Sequence, residues 1–450
     1  MPVVAVCSGS LLASATGKTE VGDTVLYEAY ETHNRLLWPM RTFARSALDL
    51  MAQPVPPLSA ARLAYPDADA QRRMSAAFEL ISRARLTHRR PPFGIDAVET
   101  AGHAVQVTEE IVASTPFADL LRFRKDIDLV QARVLLVAPM SGHFATLMRE
   151  TVRTLLPEHD VFVTDWRNAR DVAVYEGRFG FDEYVAHLIH FLDSIGPGAH
   201  VIAVCQPCVA ALVAAAVMAQ GGHPARPRSL TLMAGPIDCR INPTRVNELA
   251  VAHPIDWFES RLIATVPWRY RGAWRQVYPG FLQLTAFMSM NLERHVKAFV
   301  DLYNALVAGE YEKAEGTRTF YREYFAVADL PAEFYLETVR FVFQECALAR
   351  GALKWQGMQV EPAAIRGTAL LTVEGERDDI CAIGQTMAAH DICTGIRPYL
   401  KQHHMQPGVG HYGVFSGRRW QQEIYPIVRD MIYQTDARVT GNAVAPRAVQ

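Results

Sequence analysis

The fold is decided by the stretch His200-Val201-Ile202-Ala203-Val204-Cys205-Gln206-Pro207-Cys208-Val209-Ala210, which an alanine-rich run continues to Met218. Its first part is short, apolar and partly β-branched, which predicts a strand buried on both faces. The alanines that follow favour a helix. A cysteine at a turn between strand and helix predicts a nucleophile elbow of the Gly-x-Ser-x-Gly type, in which Ala203 and Pro207 replace the glycines and Cys205 the serine. The positive end of the helix dipole would favour the thiolate of a cysteine placed there.

Two other interpretations of this stretch stay open at this point. Most cysteines are small buried hydrophobes, and a strand followed by a helix is common in α/β proteins. Cys205 and Cys208 also form a C-x-x-C pair at a helix start, the arrangement of a dithiol redox site. A metal site has less support, because no second C-x-x-C and no spaced histidine pair completes a ligand set.

Composition excludes several classes of protein. The chain has 450 residues, half of them apolar, with 45 basic and 47 acidic side chains. This balance argues against a dedicated nucleic-acid binder, and no apolar run approaches the length of a transmembrane segment. The start lacks the basic region of a secretory signal, and seven cysteines over this length do not resemble a disulfide framework. A cytoplasmic protein is expected.

Hydrophobic periodicity divides the chain into five units. Strands alternate with helices on both sides of the elbow, which predicts a mostly parallel sheet with helices on both faces. Between Cys239 and Gly367 this rhythm stops, and an aromatic-rich, mostly helical stretch predicts a large cap insertion. The predicted units are a flexible N-terminal extension (1–24), an N-terminal helical region (25–100), an α/β core (101–238 and 367–435), a helical cap or lid (239–366) and a disordered tail (436–450).

The order of the remaining motifs completes a catalytic triad. An α/β-hydrolase fold needs nucleophile, acid and histidine in that chain order, each at the carboxyl end of a strand. Asp378 follows one predicted strand and His411, in a glycine-flanked loop, follows the last. His411 would take the proton of Cys205 and Asp378 would orient the imidazole, with Asp379 and His404 as near alternatives.

Two backbone N–H groups are expected to form an oxyanion hole. One belongs to Gln206, the residue after the nucleophile. The other is assigned to Met140, in the turn after the first buried strand of the core. His143, three residues further, is a candidate for substrate contact, against the alternative of a surface or capping histidine.

The chain resembles the intracellular polyhydroxyalkanoate (poly-3-hydroxybutyrate) depolymerases of bacteria, and more distantly the polyhydroxyalkanoate synthases. The resemblance covers about Val25 to Met431 and rests on these segments: Ala138–Leu147, Val204–Pro207, Gly235–Asp238, Val277–Phe281, Val373–Glu376, Asp378–Ile380, Gly410–Gly413 and Phe415–Trp420. The family's cysteine, aspartate and histidine fall on Cys205, Asp378 and His411. Cys208 lies outside the family's nucleophile motif, and residues 1–23 extend beyond its usual start.

The resemblance implies mobilisation of storage granules in the cytoplasm. The implied reaction is acyl transfer from polymer ester to Cys205, followed by release of 3-hydroxyacids. No cofactor is implied, but coenzyme A could replace water as the acyl acceptor. A cleft for an uncharged polyester needs apolar walls, which makes Trp274, Tyr278 and Phe281 further candidates for substrate contact.

Alternatives to a depolymerase remain at this stage. They are a synthase-like acyltransferase, which would use the same triad to build polymer, and a non-catalytic protein of the granule surface. The expected partner is the granule polymer, whereas the oligomeric state, a homodimer included, stays open.

Overall fold

A nine-stranded sheet forms the centre of the molecule. The computed structural model describes residues 22–52 and 68–436. The strands of this sheet are β1 (Ala97–Thr100), β2 (His103–Ser114), β3 (Ala118–Lys125), β4 (Ala132–Val137), β5 (His159–Trp166), β6 (His200–Val204), β7 (Ser229–Met233), β13 (Ala369–Gly375) and β14 (Lys401–Gln406). Five short strands lie in the insertion between β7 and β13: β8 (Ala264–Thr265), β9 (Gln276–Tyr278), β10 (Leu330–Pro331), β11 (Lys354–Trp355) and β12 (Met358–Gln359).

Helices cover both faces of the sheet and fill the insertion. They are α1 (Gly22–Met51), α2 (Ala68–Arg83), α3 (Arg149–Leu155), α4 (Phe181–Ile195), α5 (Pro207–Gln220), α6 (Arg245–Ala252), α7 (Ile255–Leu262), α8 (Gly280–Met290), α9 (Leu292–Ala308), α10 (Tyr311–Tyr324), α11 (Ala332–Thr338), α12 (Ala389–Ile392), α13 (Gly417–Arg419) and α14 (Tyr425–Thr435). None of the helices in the described part of the chain is long and apolar enough to span a membrane.

The strand order identifies the architecture. Across the sheet it reads β1-β2-β3-β5-β4-β6-β7-β13-β14, and the pairs from β5 onward are parallel. Only the first three pairs are antiparallel. A twisted, mostly parallel sheet that reverses its order at β4 brings the carboxyl ends of β6, β13 and β14 to one edge. This is the α/β-hydrolase fold that the sequence predicts.

Two apolar clusters hold the layers together. On one face α4 and α5 pack against the sheet with Phe334 and Leu353 of the insertion. On the other face α3 and α14 pack with Trp420. Helix α5 is buried on nearly its whole circumference, which its alanines permit because they leave room for the sheet and the insertion to approach closely.

The N-terminal helix α1 is fastened to the insertion. The Tyr27 hydroxyl donates a hydrogen bond to the buried carboxylate of Asp329, and the Tyr30 ring stacks on Phe281 with centroids 4.1 Å apart. Helix α2 in turn packs against α9 through Ala76 and Leu302. The first helices and the insertion therefore share apolar cores rather than standing apart.

Several details differ from the sequence-based expectations. Helix α1 begins at Gly22, inside the predicted extension 1–24, while residues 1–21 lie outside the described residues. Strand β1 belongs to the sheet although it falls in the region 25–100, because its four residues pair with β2. The insertion 239–366 also contains a three-stranded sheet and a β-hairpin. Asp436 is buried and bonded to the end of α14 rather than part of a free tail, and residues 437–450 are not described. The unit limits themselves remain predictions.

Candidate active site

Cys205 occupies a strained turn between β6 and α5. Its φ is +67°, in the left-handed region that side chains with a Cβ avoid at a cost of about 1–2 kcal/mol. The turn is fixed by a hydrogen bond from the Cys205 N–H to the Met233 carbonyl at 2.8 Å, and by one from the Cys208 N–H to the Cys205 carbonyl at 3.1 Å. This strand–turn–helix geometry lifts the sulfur above the sheet edge, as a nucleophile elbow requires.

Gly235 allows this turn to pack against β7. A Cβ at Gly235 would lie 2.2 Å from the Cys208 Cβ, too close for any other residue. Cys208 itself is fully buried, and its thiol donates to the Ala203 carbonyl at 3.2 Å. Burial also raises the pKa of the Cys208 thiol well above its ordinary value. Cys208 is therefore a packing residue under the elbow, and all six cysteines in the described ranges are free thiols.

His411 and Asp378 form a buried pair beside the elbow. The His411 Nδ1 lies 2.8 Å from the Asp378 Oδ2, and the same imidazole interacts with Cys205. Burial by itself would lower the pKa of His411, but the Asp378 carboxylate and Cys205 raise it well above its ordinary value. With Nδ1 directed at Asp378, the imidazole presents Nε2 to the sulfur. The structure thus places Cys205 beside the hydrogen-bonded pair of His411 and Asp378.

Backbone N–H groups fix the orientation of the Asp378 carboxylate. The Asp378 Oδ1 accepts hydrogen bonds from the N–H groups of Ile380 and Cys381, both at 2.9 Å, which leaves Oδ2 for the histidine. Gly375, three residues earlier, lies under Val409 of the histidine loop, and a Cβ there would be 2.6 Å from the Val409 carbonyl oxygen. The glycine therefore lets the two loops approach to hydrogen-bonding distance.

Glu374 is a positioning residue that sequence reasoning missed. Its carboxylate is completely buried at the end of β13 and accepts three N–H groups of the following loop: Gly384 at 2.9 Å, Thr386 at 2.7 Å and Met387 at 2.9 Å. This anchors the segment that follows Asp378. The available signal was an acidic residue next to the last position of a mostly apolar strand.

The near alternatives have other partners. Asp379 accepts a hydrogen bond from the Asn291 side chain at 2.6 Å, and His404 lies 2.9 Å from the Gln406 side chain. Neither side chain is hydrogen-bonded to His411 or Cys205. The first of these bonds ties the acid loop to the start of α9.

Two backbone donors at the site are free. Among the described residues, neither the Met140 N–H nor the Gln206 N–H makes a hydrogen bond. Gln206 lies directly after the elbow, and Met140 is buried in the turn after β4, the strand next to β6. The Gln206 side chain is also buried with both of its polar atoms unpartnered.

His143 lies between this turn and the insertion. Its ring stacks on Tyr324 of α10 with centroids 4.9 Å apart, and its buried Nε2 has no hydrogen-bond partner. Burial lowers the pKa of His143 to about 4, so the imidazole is neutral. The expected surface position is wrong, because the ring is only 5% exposed.

The aromatic residues chosen for substrate contact lie elsewhere. Phe281 is packed between Tyr27 and Tyr30 of α1, and the Tyr278 ring is buried 4.1 Å from Tyr335. Trp274 is 72% exposed on a turn. The first two are core residues, so the expectation that they line an open cleft is wrong.

A different aromatic group reaches the triad. Tyr412, next to His411, packs against Phe320 and Tyr324 of α10 with centroids 5.9 and 6.1 Å apart. Burial raises the pKa of Tyr324 to about 12 and that of Tyr412 well above its ordinary value. Helix α10 is thus a part of the insertion that packs on the loop containing His411 and Tyr412. No group of three side chains suited to a metal ion occurs within residues 22–52 and 68–436.

One protein-family model matches part of the chain. Residues 234–436 match the family model described as PHB de-polymerase C-terminus, a range that includes Asp378 and His411. A search of curated proteins found no match to the chain.

Solved structures with a similar fold include three hydrolases. The 2-hydroxy-6-oxo-6-phenylhexa-2,4-dienoate hydrolase of Rhodococcus sp. strain RHA1 is 11% identical, with 73% of this chain and 99% of that chain covered and a TM-score of 0.38. A carboxylesterase of the thaumarchaeon Nitrososphaera gargenis is 14% identical, with 77% and 99% covered and a TM-score of 0.35. A thermophilic esterase of Thermogutta terrifontis is 12% identical, with 74% and 98% covered and a TM-score of 0.36.

Such low TM-scores add nothing to the fold assignment, which rests on the strand order. The family match covers residues 234–436, somewhat less than half of the chain. It makes this part of the chain similar to the PHB depolymerases and supports a carboxylic ester hydrolase.

Proposed function

We propose that the chain cleaves the ester bonds of stored poly(3-hydroxybutyrate) with Cys205 as nucleophile. The observation that carries this proposal is the hydrogen-bonded pair of His411 and Asp378 beside the elbow cysteine Cys205, in a chain whose residues 234–436 match the depolymerase model. A nucleophile, a base and an orienting acid in this order are the requirement for acyl transfer through a covalent intermediate.

The reaction would proceed in two halves. The Cys205 thiolate attacks an ester carbonyl, and the negative oxygen that forms is held by the N–H groups of Met140 and Gln206. His411 gives its Nε2 proton to the departing alkoxide, which leaves as the hydroxyl end of one polymer fragment. Water then attacks the thioester while His411 takes its proton, and the acyl group leaves as a free 3-hydroxyacid or oligomer. Asp378 holds the imidazole in the required tautomer throughout.

Buried polar groups without partners support a polar contact with the polymer backbone. The unpartnered Nε2 belongs to His143, three residues after Met140, and the unpartnered side-chain amide belongs to Gln206 itself. Ester carbonyls and terminal hydroxyls of a polyester could satisfy them, whereas a purely apolar ligand could not. Tyr412 and Tyr324 would supply apolar surface beside the scissile bond.

Digestion of amorphous polymer granules tests this function. We expect the protein to release 3-hydroxyacids from granules, and we expect Cys205→Ala to release none. Adding coenzyme A distinguishes the acceptors, because thiolysis would yield 3-hydroxyacyl-CoA and hydrolysis the free acid. Cleavage of a small soluble ester without any loss of polymer would contradict the proposed substrate. Co-sedimentation of the inactive variant with granules tests the association with their surface.

A further inference from the structure

A polar cavity separate from the triad lies beside the carboxyl end of β5. Its volume is about 580 Å³, within the usual range of small-molecule sites, roughly 300–1,000 Å³. None of the triad residues lines it. Strand β5 is two positions from β6 in the sheet, so Asp165 in this cavity lies on the order of 10 Å from the elbow strand. The lining includes His88, Arg89, Arg90, Phe144, Asp165 and Arg271.

Asp165 brings an unsatisfied acceptor to this cavity. Its side chain is nine-tenths buried, with the Oδ2 2.5 Å from the Arg90 Nε, while the Oδ1 has no hydrogen-bond partner. Burial raises the pKa of Asp165 to about 6 even though Arg90 opposes the shift. A buried carboxylate oxygen without a partner is costly, and a hydroxyl donor from a ligand would satisfy it. The Nδ1 of His88 is likewise buried and unpartnered.

The cavity also holds arginines that no carboxylate neutralises at contact distance. Arg167 is paired with Asp119, and Arg90 with Asp165 and Glu109. Arg89 and Arg271, in contrast, form no ion pair within 4.0 Å with any described residue. The carboxylates of Asp171 and Glu176 line the same cavity and moderate the positive charge. The lining thus has four arginines and four carboxylates, a balance that disfavours a polyanion such as a nucleotide and leaves Arg271 available for a ligand with a single carboxylate.

We propose that this cavity binds a free short-chain 3-hydroxycarboxylate, with its hydroxyl on the Asp165 Oδ1 and its carboxylate on Arg271. This inference rests on the proposed function, since such acids are the products that polymer cleavage would release. The ligand has the two groups that the cavity lacks, a hydroxyl donor and an anion. The cavity lies near the triad, on the same edge of the sheet, so a product released there could bind in it.

Calorimetric titration of the full-length Cys205→Ala protein tests the proposal without turnover. The ligands are 3-hydroxybutyrate, its methyl ester, which lacks the carboxylate, and 3-acetoxybutyrate, which lacks the free hydroxyl. We expect the free acid to bind at least tenfold more tightly than either derivative. In the same background, Asp165→Asn and Arg271→Gln should each weaken its binding at least tenfold, while Arg226→Gln, an exposed arginine elsewhere, should not.

The outcomes separate this site from the proposed function. Equal binding of the free acid and either ester would point to polymer ends as the ligand and would overturn the proposal, as would full binding by Asp165→Asn and Arg271→Gln. Melting temperatures of the variants check folding, and the exposed Arg271 keeps the test valid if Asp165→Asn unfolds. Granule cleavage without binding of the free acid would refute the proposed binding site and leave the proposed function standing. Selective binding of the free acid without granule cleavage would refute the proposed function and leave the proposed binding site standing.

Discussion

The loops of the triad and the helical insertion use their buried side chains in opposite ways. At the sheet edge Asp378 and Glu374 are each held by backbone N–H groups, so the position of a polar atom is fixed by the end of a strand. In the insertion, aromatic rings such as Phe281, Tyr278 and Tyr324 are held by other rings. The difference shows that a site built on strand ends can be predicted from the order of the strands in the sequence, because the residues that follow them meet at one edge of the sheet. An apolar wall can be located only when its neighbours are known.

The largest effect expected at the sheet edge is that of the nucleophile. Cys205→Ala should reduce hydrolysis by roughly 10⁴-fold or more, because no other group can form the acyl-enzyme. Cys208→Ala should retain most of the rate, since its thiol is buried and bonded to a backbone carbonyl. Initial rates on a chromogenic ester and on granules measure both effects. A greater loss in Cys208→Ala would restore the dithiol interpretation.

The orienting acid should give the next largest effect. Asp378→Asn should lower the rate roughly 10³ to 10⁴-fold, because the amide favours the wrong imidazole tautomer. Asp379→Asn is the matched control, since this carboxylate bonds to Asn291 and not to His411. We expect it to cost less than tenfold. Equal losses in the two variants, measured at matched thermal stability, would show that the acid has been assigned to the wrong residue.

The sequence could predict which three side chains meet at the sheet edge, because chain order and strand ends are local properties. Cys205, Asp378 and His411 each follow an apolar run, and parallel strands bring such positions to one edge. The role of Glu374 was missed, because it depends on where the next ten residues fold back. The substrate contacts failed for the same kind of reason. Aromatic composition predicts burial, but it does not say that the partners of Phe281 come from α1, more than 200 residues away in sequence.

Two aromatic substitutions sharpen the comparison within the insertion. Phe281→Ala should lower the free energy of unfolding by about 3–5 kcal/mol, because it empties a packed space between Tyr27 and Tyr30. Trp274→Ala should change it by less than about 0.5 kcal/mol, because that side chain is largely in solvent. Denaturant titrations measure both.

Activity of the same variants separates core from cleft. Below its melting temperature, Phe281→Ala should lose rate on granules and on a soluble ester in the same proportion. If the variant lost activity on granules only, with unchanged stability, Phe281 would contact the polymer rather than belong to the core.

The smallest effect concerns charge at the triad. Burial would lower the pKa of His411, and it is the Asp378 carboxylate and Cys205 that raise it well above the ordinary value. Removing the sulfur in Cys205→Ala should therefore lower this pKa, while Cys208→Ala should leave it unchanged because the Cys208 thiol is neutral. Titration of the His411 ring signals by NMR measures the pKa directly.

The pH dependence of stability provides a second readout of the same charge. A histidine whose pKa is higher in the folded than in the unfolded state stabilises the fold when it is protonated. This stabilisation is fully present below the unfolded-state pKa of about 6.5, and it is lost as the pH rises through the folded-state pKa. The wild-type protein should therefore keep this contribution to a higher pH than Cys205→Ala does. An unchanged His411 pKa in that variant would mean that the sulfur and the imidazole do not interact. Cys205 would then depend on the elbow and the helix α5 N-terminus alone for its reactivity.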